Sequence, residues 1–213
     1  MNDLTVIIRN RNESEYIGFA IQSVIDFFPN SKIIVIDNNS NDDSLKTVSL
    51  FQNRISIEVL NVNNYTPGLS LNNAIKKVDT EYVLILSAHA QITKMNFDSV
   101  KELLKENVAV FGNQTPIYKG KKITKRYIWS HFGTKNIKNM FSEIEKRYFL
   151  HNAFCFYSTD FISNTPFDET LPGKEDRYWA IDIVKKGYSF IYDSSIEVNH
   201  FYTKNGATWK GIG

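Results

Sequence analysis

Lys32-Ile33-Ile34-Val35-Ile36-Asp37-Asn38-Asn39-Ser40-Asn41-Asp42-Asp43-Ser44 is the stretch that decides the fold. Residues 33–36 are β-branched and apolar without interruption, the pattern of a strand covered on both faces. The residues after them carry only amides, carboxylates and hydroxyls. Asn41 or Asp42 can cap a helix that carries Leu45, Val48 and Phe51. A polar cluster at the carboxyl end of a parallel strand is where open α/β sheets bind ligands.

Working outward, residues 4–8 form a first apolar strand. Ile17, Ala20, Ile21, Val24, Ile25 and Phe28 then follow helical spacing, with Ser14 as N-cap and Pro29-Asn30 as stop. Residues 32–37 are the second strand and 55–60 the third. Pro67-Gly68 marks a turn before a short helix with Leu71, Ala74, Ile75 and Val78. Residues 82–86 are another buried strand, ending in Ser87-Ala88-His89-Ala90. This β-α-β-α-β succession predicts a parallel sheet with right-handed crossovers.

Beyond residue 112 the pattern loosens. Lys119-Gly120-Lys121-Lys122 reads as a turn between irregular strands, and residues 127–150 are aromatic and basic without one period. A strand is predicted at 154–157 and a helix at 176–186 with Trp179, Ala180, Ile183 and Val184 inward. Gly187 stops that helix. Two last strands are predicted at 190–192 and 196–200, and a mobile tail at 203–213.

The 213 residues suffice for one domain with a substantial core. With 42% hydrophobic and 23% charged residues the composition is that of an ordinary folded chain. A formal charge of +2 gives no ground for a nucleic-acid partner. Lys119, Lys121, Lys122, Lys125 and Arg126 do cluster, read as a solvated loop, with an anionic membrane or acidic acceptor as the alternative. Cys155, the only cysteine, lies in an apolar run and is expected to be a buried thiol. No signal peptide or membrane-spanning run is legible, so a cytoplasmic protein is expected.

Several residues can carry chemistry. Asp37 can accept from a base N–H or a ribose hydroxyl, or can serve as a turn residue with Ser40. The loop Arg9-Asn10-Arg11-Asn12-Glu13 lies beside it in a doubly wound sheet and offers two guanidiniums and a carboxylate to phosphate and ribose. His89 and His200 each end a strand, where a neutral imidazole can ligate a divalent ion or contact phosphate. Glu175-Asp176 opens a helix, where carboxylates suit the dipole and one can act as general base. There is no Gly-x-Gly-x-x-Gly, no Gly-Lys-Ser/Thr phosphate loop and no Gly-x-Ser-x-Gly. One cysteine excludes a cysteine zinc site.

From about Leu4 to His200 the chain resembles family 2 glycosyltransferases of the GT-A fold. The Arg-x-x-Asn-Glu loop looks like the family's opening, and Ile36-Asp37-Asn38-Asn39-Ser40 resembles its Val-Asp-Asp-Gly-Ser segment. Gly68-Leu69-Ser70-Leu71-Asn72-Asn73 resembles the helix opening near the diphosphate. Gly173-x-Glu175-Asp176-Arg177-x-Trp179-Ala180, Gly187-Tyr188 and Val198-x-His200 are similar to the second half. The family's metal-holding Asp-x-Asp falls on Ser87-Ala88-His89, which has neither aspartate.

The resemblance implies an α/β fold, a mostly parallel Rossmann-like sheet flanked by helices with a smaller irregular C-terminal acceptor region. It implies one domain, with residues 1–112 as the nucleotide-sugar half and 113–213 as the acceptor and catalytic half. It places the donor nucleotide near Arg9, Asn10, Arg11, Glu13, Asp37 and Asn39, and the diphosphate near Gly68, Asn72, Ser87 and His89. It makes Asp176 the general base, with Glu175 orienting it or the acceptor, in an inverting transfer to a glycan or lipid-linked glycan hydroxyl. Peripheral contact with the inner membrane face goes with such an acceptor. A divalent cation, manganese or magnesium, would rest on His89 and His200; its rival is a metal-independent site with histidines or Arg9 and Arg11 on the diphosphate. Tyr127, Trp129, Phe132 and Tyr148 are read as packing a small subdomain, with sugar stacking as the alternative. Trp209 in the tail is a candidate lid. A non-catalytic binding subunit is the alternative function; a nucleotidylyltransferase would need glycines in the loop at 9–13.

Overall fold

The structure is a computed structural model that describes residues 3–204 and 206. Its first half alternates strand and helix: β1 (Leu4–Asn10), α1 (Ile17–Phe27), β2 (Lys32–Asp37), α2 (Ser44–Ser49), β3 (Ser56–Asn61), α3 (Pro67–Ile75) and β4 (Tyr82–Ser87). Then come β5 (Ala90–Lys94), α4 (Phe97–Glu106), β6 (Ala109–Tyr118) and β7 (Lys121–Lys122). A 3-10 turn (Tyr127–His131) leads to three two-residue strands, β8 (Ile137–Lys138), β9 (Phe141–Ser142) and β10 (Arg147–Tyr148). β11 (Phe154–Ser158), α5 (Thr159–Asn164), α6 (Glu175–Lys185) and β12 (Phe190–Phe201) follow.

One sheet joins both halves of the chain in the order β3-β2-β1-β4-β11-β6-β12-β5. β3, β2, β1 and β4 are parallel. β11 runs antiparallel to β4 and β6, and β12 is parallel to β6. The carboxyl ends of β1, β2, β4, β6 and β12 therefore reach the same edge. This is the geometry that lets loops distant in sequence meet.

The uninterrupted apolar strands are explained by burial on two faces. Ile7 packs with Leu71, Ile75 and Trp179 on one side. Val6 and Ile8 pack with Ile17, Ile21 and Val24 on the other. Burying one such side chain is worth roughly 1.5–3 kcal/mol.

Four local readings are corrected. Ser14 does not cap α1; Tyr16 stands at that position, and the Ser14 backbone N–H donates to Asp42. Pro67-Gly68 does not precede α3 but opens it, with the Thr66 hydroxyl accepting from Leu69 N–H at 3.1 Å. Proline at a first helical position forfeits no helical bond. The two strands expected at 190–192 and 196–200 are the single β12, with a register shift between Asp193 and Glu197. β5, α4 and α5 had no counterpart in the sequence reading; α4 buries only Val100 and Leu104, too thin a stripe to stand out.

Trp129 and Phe132 are buried and pack, as read, whereas Tyr127 is exposed. Cys155 is a buried thiol, and burial raises its pKa well above the ordinary value. Thr203, assigned to the mobile tail, is buried and its hydroxyl donates to Glu13. Trp209 lies outside the described residues.

Candidate active site

Two loops at the sheet edge are laced together. Arg9 and Asn10 are the last residues of β1 rather than the start of a loop. The Asn10 amide donates to Asp37 Oδ1 at 2.7 Å and to Ser40 Oγ at 3.1 Å. Ser40 donates to Asp37 through both its hydroxyl (2.6 Å) and its backbone N–H (2.9 Å). Asn12 and Asn39 adopt left-handed backbone, φ 54° and 50°, which asparagine tolerates. The Asn12 N–H donates to Ser40, and the Glu13 N–H to Ser44. Asp37 is thus a buried organiser of the loop. A carboxylate has about four lone-pair sites, and three of those on Asp37 are taken.

Alternation along β1 turns Arg9 away from Asp37 and toward α6. Its Nη1 lies 2.7 Å from Glu175 Oε1. Burial opposes the guanidinium charge, but Glu175, Tyr65 and Asp176 outweigh it, and the pKa rises further above its ordinary value. Asp176, next along, accepts from its neighbour Arg177 at N and Nη1, both at 2.8 Å. It also accepts from Asn152 N–H at 3.0 Å. Oδ2 receives two of these three bonds and Oδ1 one, so Oδ1 retains a site for a further donor.

Asn152 is a residue that sequence reasoning missed. It is fully buried and its amide lies 3.3 Å from Glu175 Oε1, while its carbonyl oxygen accepts from the Tyr157 hydroxyl at 2.6 Å. Its backbone serves one carboxylate and its side chain the other. Nothing marks it in the sequence, because it lies between His151 and the apolar β11. Arg177 was quoted but given no role; its guanidinium also donates to Leu150 O and lies 4.1 Å from the Phe149 ring.

The histidines meet as the strand order dictates. His89 and His200 have ring centroids 4.8 Å apart, and His151 lies 6.2 Å from His200. His200 Nδ1 is 2.8 Å from Gln114 Oε1, and His89 Nδ1 is 3.2 Å from Glu13 Oε1. Burial holds His151 and His200 well below the ordinary histidine pKa, so both are neutral. A divalent ion beneath a diphosphate takes mainly oxygen ligands. Among the described residues no group of three or more His, Cys, Asp or Glu side chains is arranged to hold a metal. The implied ligand pair is brought together, and an ion held there would draw its remaining ligands from the diphosphate and water.

Gly68 and Asn72 stand apart from this network. A Cβ on Gly68 would lie 2.3 Å from Asp168 O, so glycine lets α3 touch the segment at 167–169. The Asn72 amide donates to Phe167 O and Glu169, and its oxygen accepts from Phe167 N–H. Both residues clamp backbone here, which leaves the Asn72 side chain committed. Arg11 is exposed beside the laced loops, and Ser87 pairs in register with Arg9. A cavity of about 300 Å³ opens between the end of β3 and α3, lined by Leu60, Asn61, Val62, Asn63, Asn64 and Asn73 among others. Asn39 reaches its wall by donating to Val62 O.

Comparisons with known proteins bear on the family and the fold. The chain is 25% identical over 186 residues to the O-antigen chain rhamnosyltransferase WbaN of Salmonella anatum, covering 81% of this chain and 58% of that protein. It is 26% identical over 218 residues to the GalNAc(5)-diNAcBac-PP-undecaprenol beta-1,3-glucosyltransferase of Campylobacter jejuni, covering 98% and 68%. It thus spans little more than half of the first relative's length. The structure of S. aureus TarS 1-349 in complex with UDP-GlcNAc superposes with a TM-score of 0.72 at 20% identity, covering 99% of this chain and 61% of that one. The mannosyltransferase PcManGT from Pyrobaculum calidifontis, solved with GDP-Man and Mn2+, superposes at 0.65 with 16% identity, covering 96% and 58%. The fold is therefore that of GT-A glycosyltransferases. Residues 5–166 match Glycosyl transferase family 2, and the chain belongs to that family.

Proposed function

We propose that this chain transfers a sugar from a nucleotide-diphosphate donor to a glycan acceptor hydroxyl, with inversion at the anomeric carbon. The observation that carries the reading is the Arg9–Glu175 ion pair at 2.7 Å. It ties the strand end beside Asp37 to the helix start that bears Asp176, so donor and base sites adjoin. The family membership and the names of the relatives support the reaction class.

The base and ribose lie against the loop of Asp37, Asn39 and Glu13, beside the cavity at the end of β3. Asp176 Oδ1 accepts the acceptor hydroxyl's proton. The resulting oxygen bonds to the anomeric carbon from the face opposite the diphosphate, and the carbon–oxygen bond to the diphosphate breaks. Arg9, Arg11 and His89 meet the charge on the departing nucleoside diphosphate. Glu175, held by Arg9 and Asn152, orients the acceptor. No step is assigned to a metal ion. The relative from Campylobacter jejuni, whose name contains an undecaprenol-linked glycan, makes a lipid-linked acceptor at the cytoplasmic membrane face the favoured class.

A positioned general base typically contributes about 10²–10⁴-fold. Asp176→Asn is expected to lower turnover by that factor in a radiolabelled-sugar transfer assay, with nucleotide affinity unchanged. Unaltered turnover would remove Asp176 from the role. Ser87-Ala88-His89, where the family has aspartates, favours a second reading as a non-catalytic nucleotide-binding subunit. Tight nucleotide-sugar binding by the native chain, without transfer or hydrolysis, would select it.

A further inference from the structure

Residues 113–142 contain Lys119, Lys121, Lys122, Lys125, Arg126, Lys135 and Lys138 and no Asp or Glu, in a chain whose formal charge is +2. The remainder is therefore net negative, and the positive charge is segregated. Four of these residues gather at one place. β6 runs to the edge on which the candidate site opens, and its hairpin with β7 carries Lys119, Lys121 and Lys122 there. Arg126 and Tyr127 follow at the start of the 3-10 turn.

All four cations are exposed. Lys32, Lys77, Lys101, Lys105, Lys146 and Lys186 elsewhere each hold a carboxylate. No such ion pair involves Lys119, Lys121, Lys122 or Arg126 among the described residues. Two exposed rings stand with them, Tyr118 at 39% and Tyr127 at 61%. Lys119 Nζ lies 5.4 Å from the Tyr118 ring centroid, and Tyr202 meets that ring edge-on at 5.0 Å.

We propose that this hairpin and turn are a docking face for an anionic phospholipid bilayer. Tyrosine rings settle at headgroup level, with an apolar body and a polar tip. Each Lys or Arg near an anionic leaflet tightens binding about fivefold, so four supply roughly 10²–10³-fold. A soluble polyanion would use the charges but not the exposed rings. Among the described residues no helix is long and apolar enough to cross a membrane, and the proposed contact is one made by surface side chains. The hairpin shares its edge with the candidate site, and docking turns that site toward lipid-linked acceptors. This orientation rests on the transferase reading; vesicle binding itself does not.

The test is co-sedimentation of the full chain with vesicles of phosphatidylcholine alone or mixed with phosphatidylglycerol. Binding to the mixed vesicles and release by high salt are expected. Replacing Lys119, Lys121, Lys122 and Arg126 together by Gln should weaken binding at least about 10²-fold. Tyr118→Ser with Tyr127→Ser should weaken it several-fold. The melting temperature and nucleotide binding should stay unchanged in both variants, which separates loss of docking from loss of fold or of donor site. Equal sedimentation with neutral vesicles, binding indifferent to the Gln variant, or no vesicle binding would overturn the proposal. Capture of soluble polyphosphate without vesicle binding would replace the bilayer by an acidic polymer.

Discussion

Asn152 has no motif around it, yet its side-chain amide lies 3.3 Å from Glu175 and its backbone N–H holds Asp176. Asn152→Ala removes the side-chain link and leaves the Tyr157 hydroxyl without its buried acceptor. An unmade buried hydrogen bond costs about 1–3 kcal/mol. The larger effect is expected on turnover, because a small misplacement of a reacting group can cost about 10²-fold. Steady-state kinetics should show kcat lowered while KM for the donor holds. A parallel loss of donor affinity, or a change confined to melting temperature, would assign Asn152 to packing alone. Asp37, Glu175 and Asp176 were legible because a carboxylate beside a strand end or helix start stands out. Asn152 was not, since its function depends on β11 lying between β4 and β6.

Among elements, α3 shows that a motif can carry a structural duty that sequence alone does not reveal. Gly68 and Asn72 resemble residues beside a diphosphate, and in the fold they fasten the helix to the segment at 167–169. Gly68→Ala forces a Cβ against Asp168 O, and overpacking of this kind costs about 1–3 kcal/mol. For a chain of this size each kcal/mol lowers the melting temperature by roughly 2–4 °C. Calorimetry should show a drop of several degrees. Gly173→Ala is the control: nothing lies within 4 Å of its added Cβ, and a neutral change is expected. An equal effect of both substitutions would contradict the close approach. β1, β2, β4, α1 and α6 were legible from runs and periodicity; β12 was split because its polar middle, Asp193-Ser194-Ser195, looks like a turn when its partner strands are unknown.

For the whole molecule, two buried neutral histidines make stability depend on pH. Burial lowers the pKa of both His151 and His200. In the unfolded chain each binds a proton near its ordinary value, about 6.5. The unfolded state then holds more protons over the window below that value, so stability falls as pH falls. The slope approaches about 1.4 kcal/mol per pH unit for each histidine. Thermal unfolding midpoints should be level above neutrality and decline on acidification through that window. His200→Gln, with no titrating ring, should have a shallower decline than the native chain. An identical slope in the variant would show that His200 is not the buried neutral base described. The same edge that buries these rings presents the basic hairpin, which local sequence shows as a charge cluster but assigns to no face.

By itself the sequence determined what local rules reach: two-sided strands, amphipathic helices and a soluble composition. It also marked the acidic and basic residues that stand at element ends. These follow from periodicity and chain direction, which neighbours in sequence are enough to specify. Only the tertiary structure decided that Arg9 pairs with Glu175 across 166 residues, that Asn152 serves two carboxylates and that Gly68 is a close contact. Such contacts depend on strand order, and strand order comes from how both faces of the sheet are buried at once, a property no single segment contains.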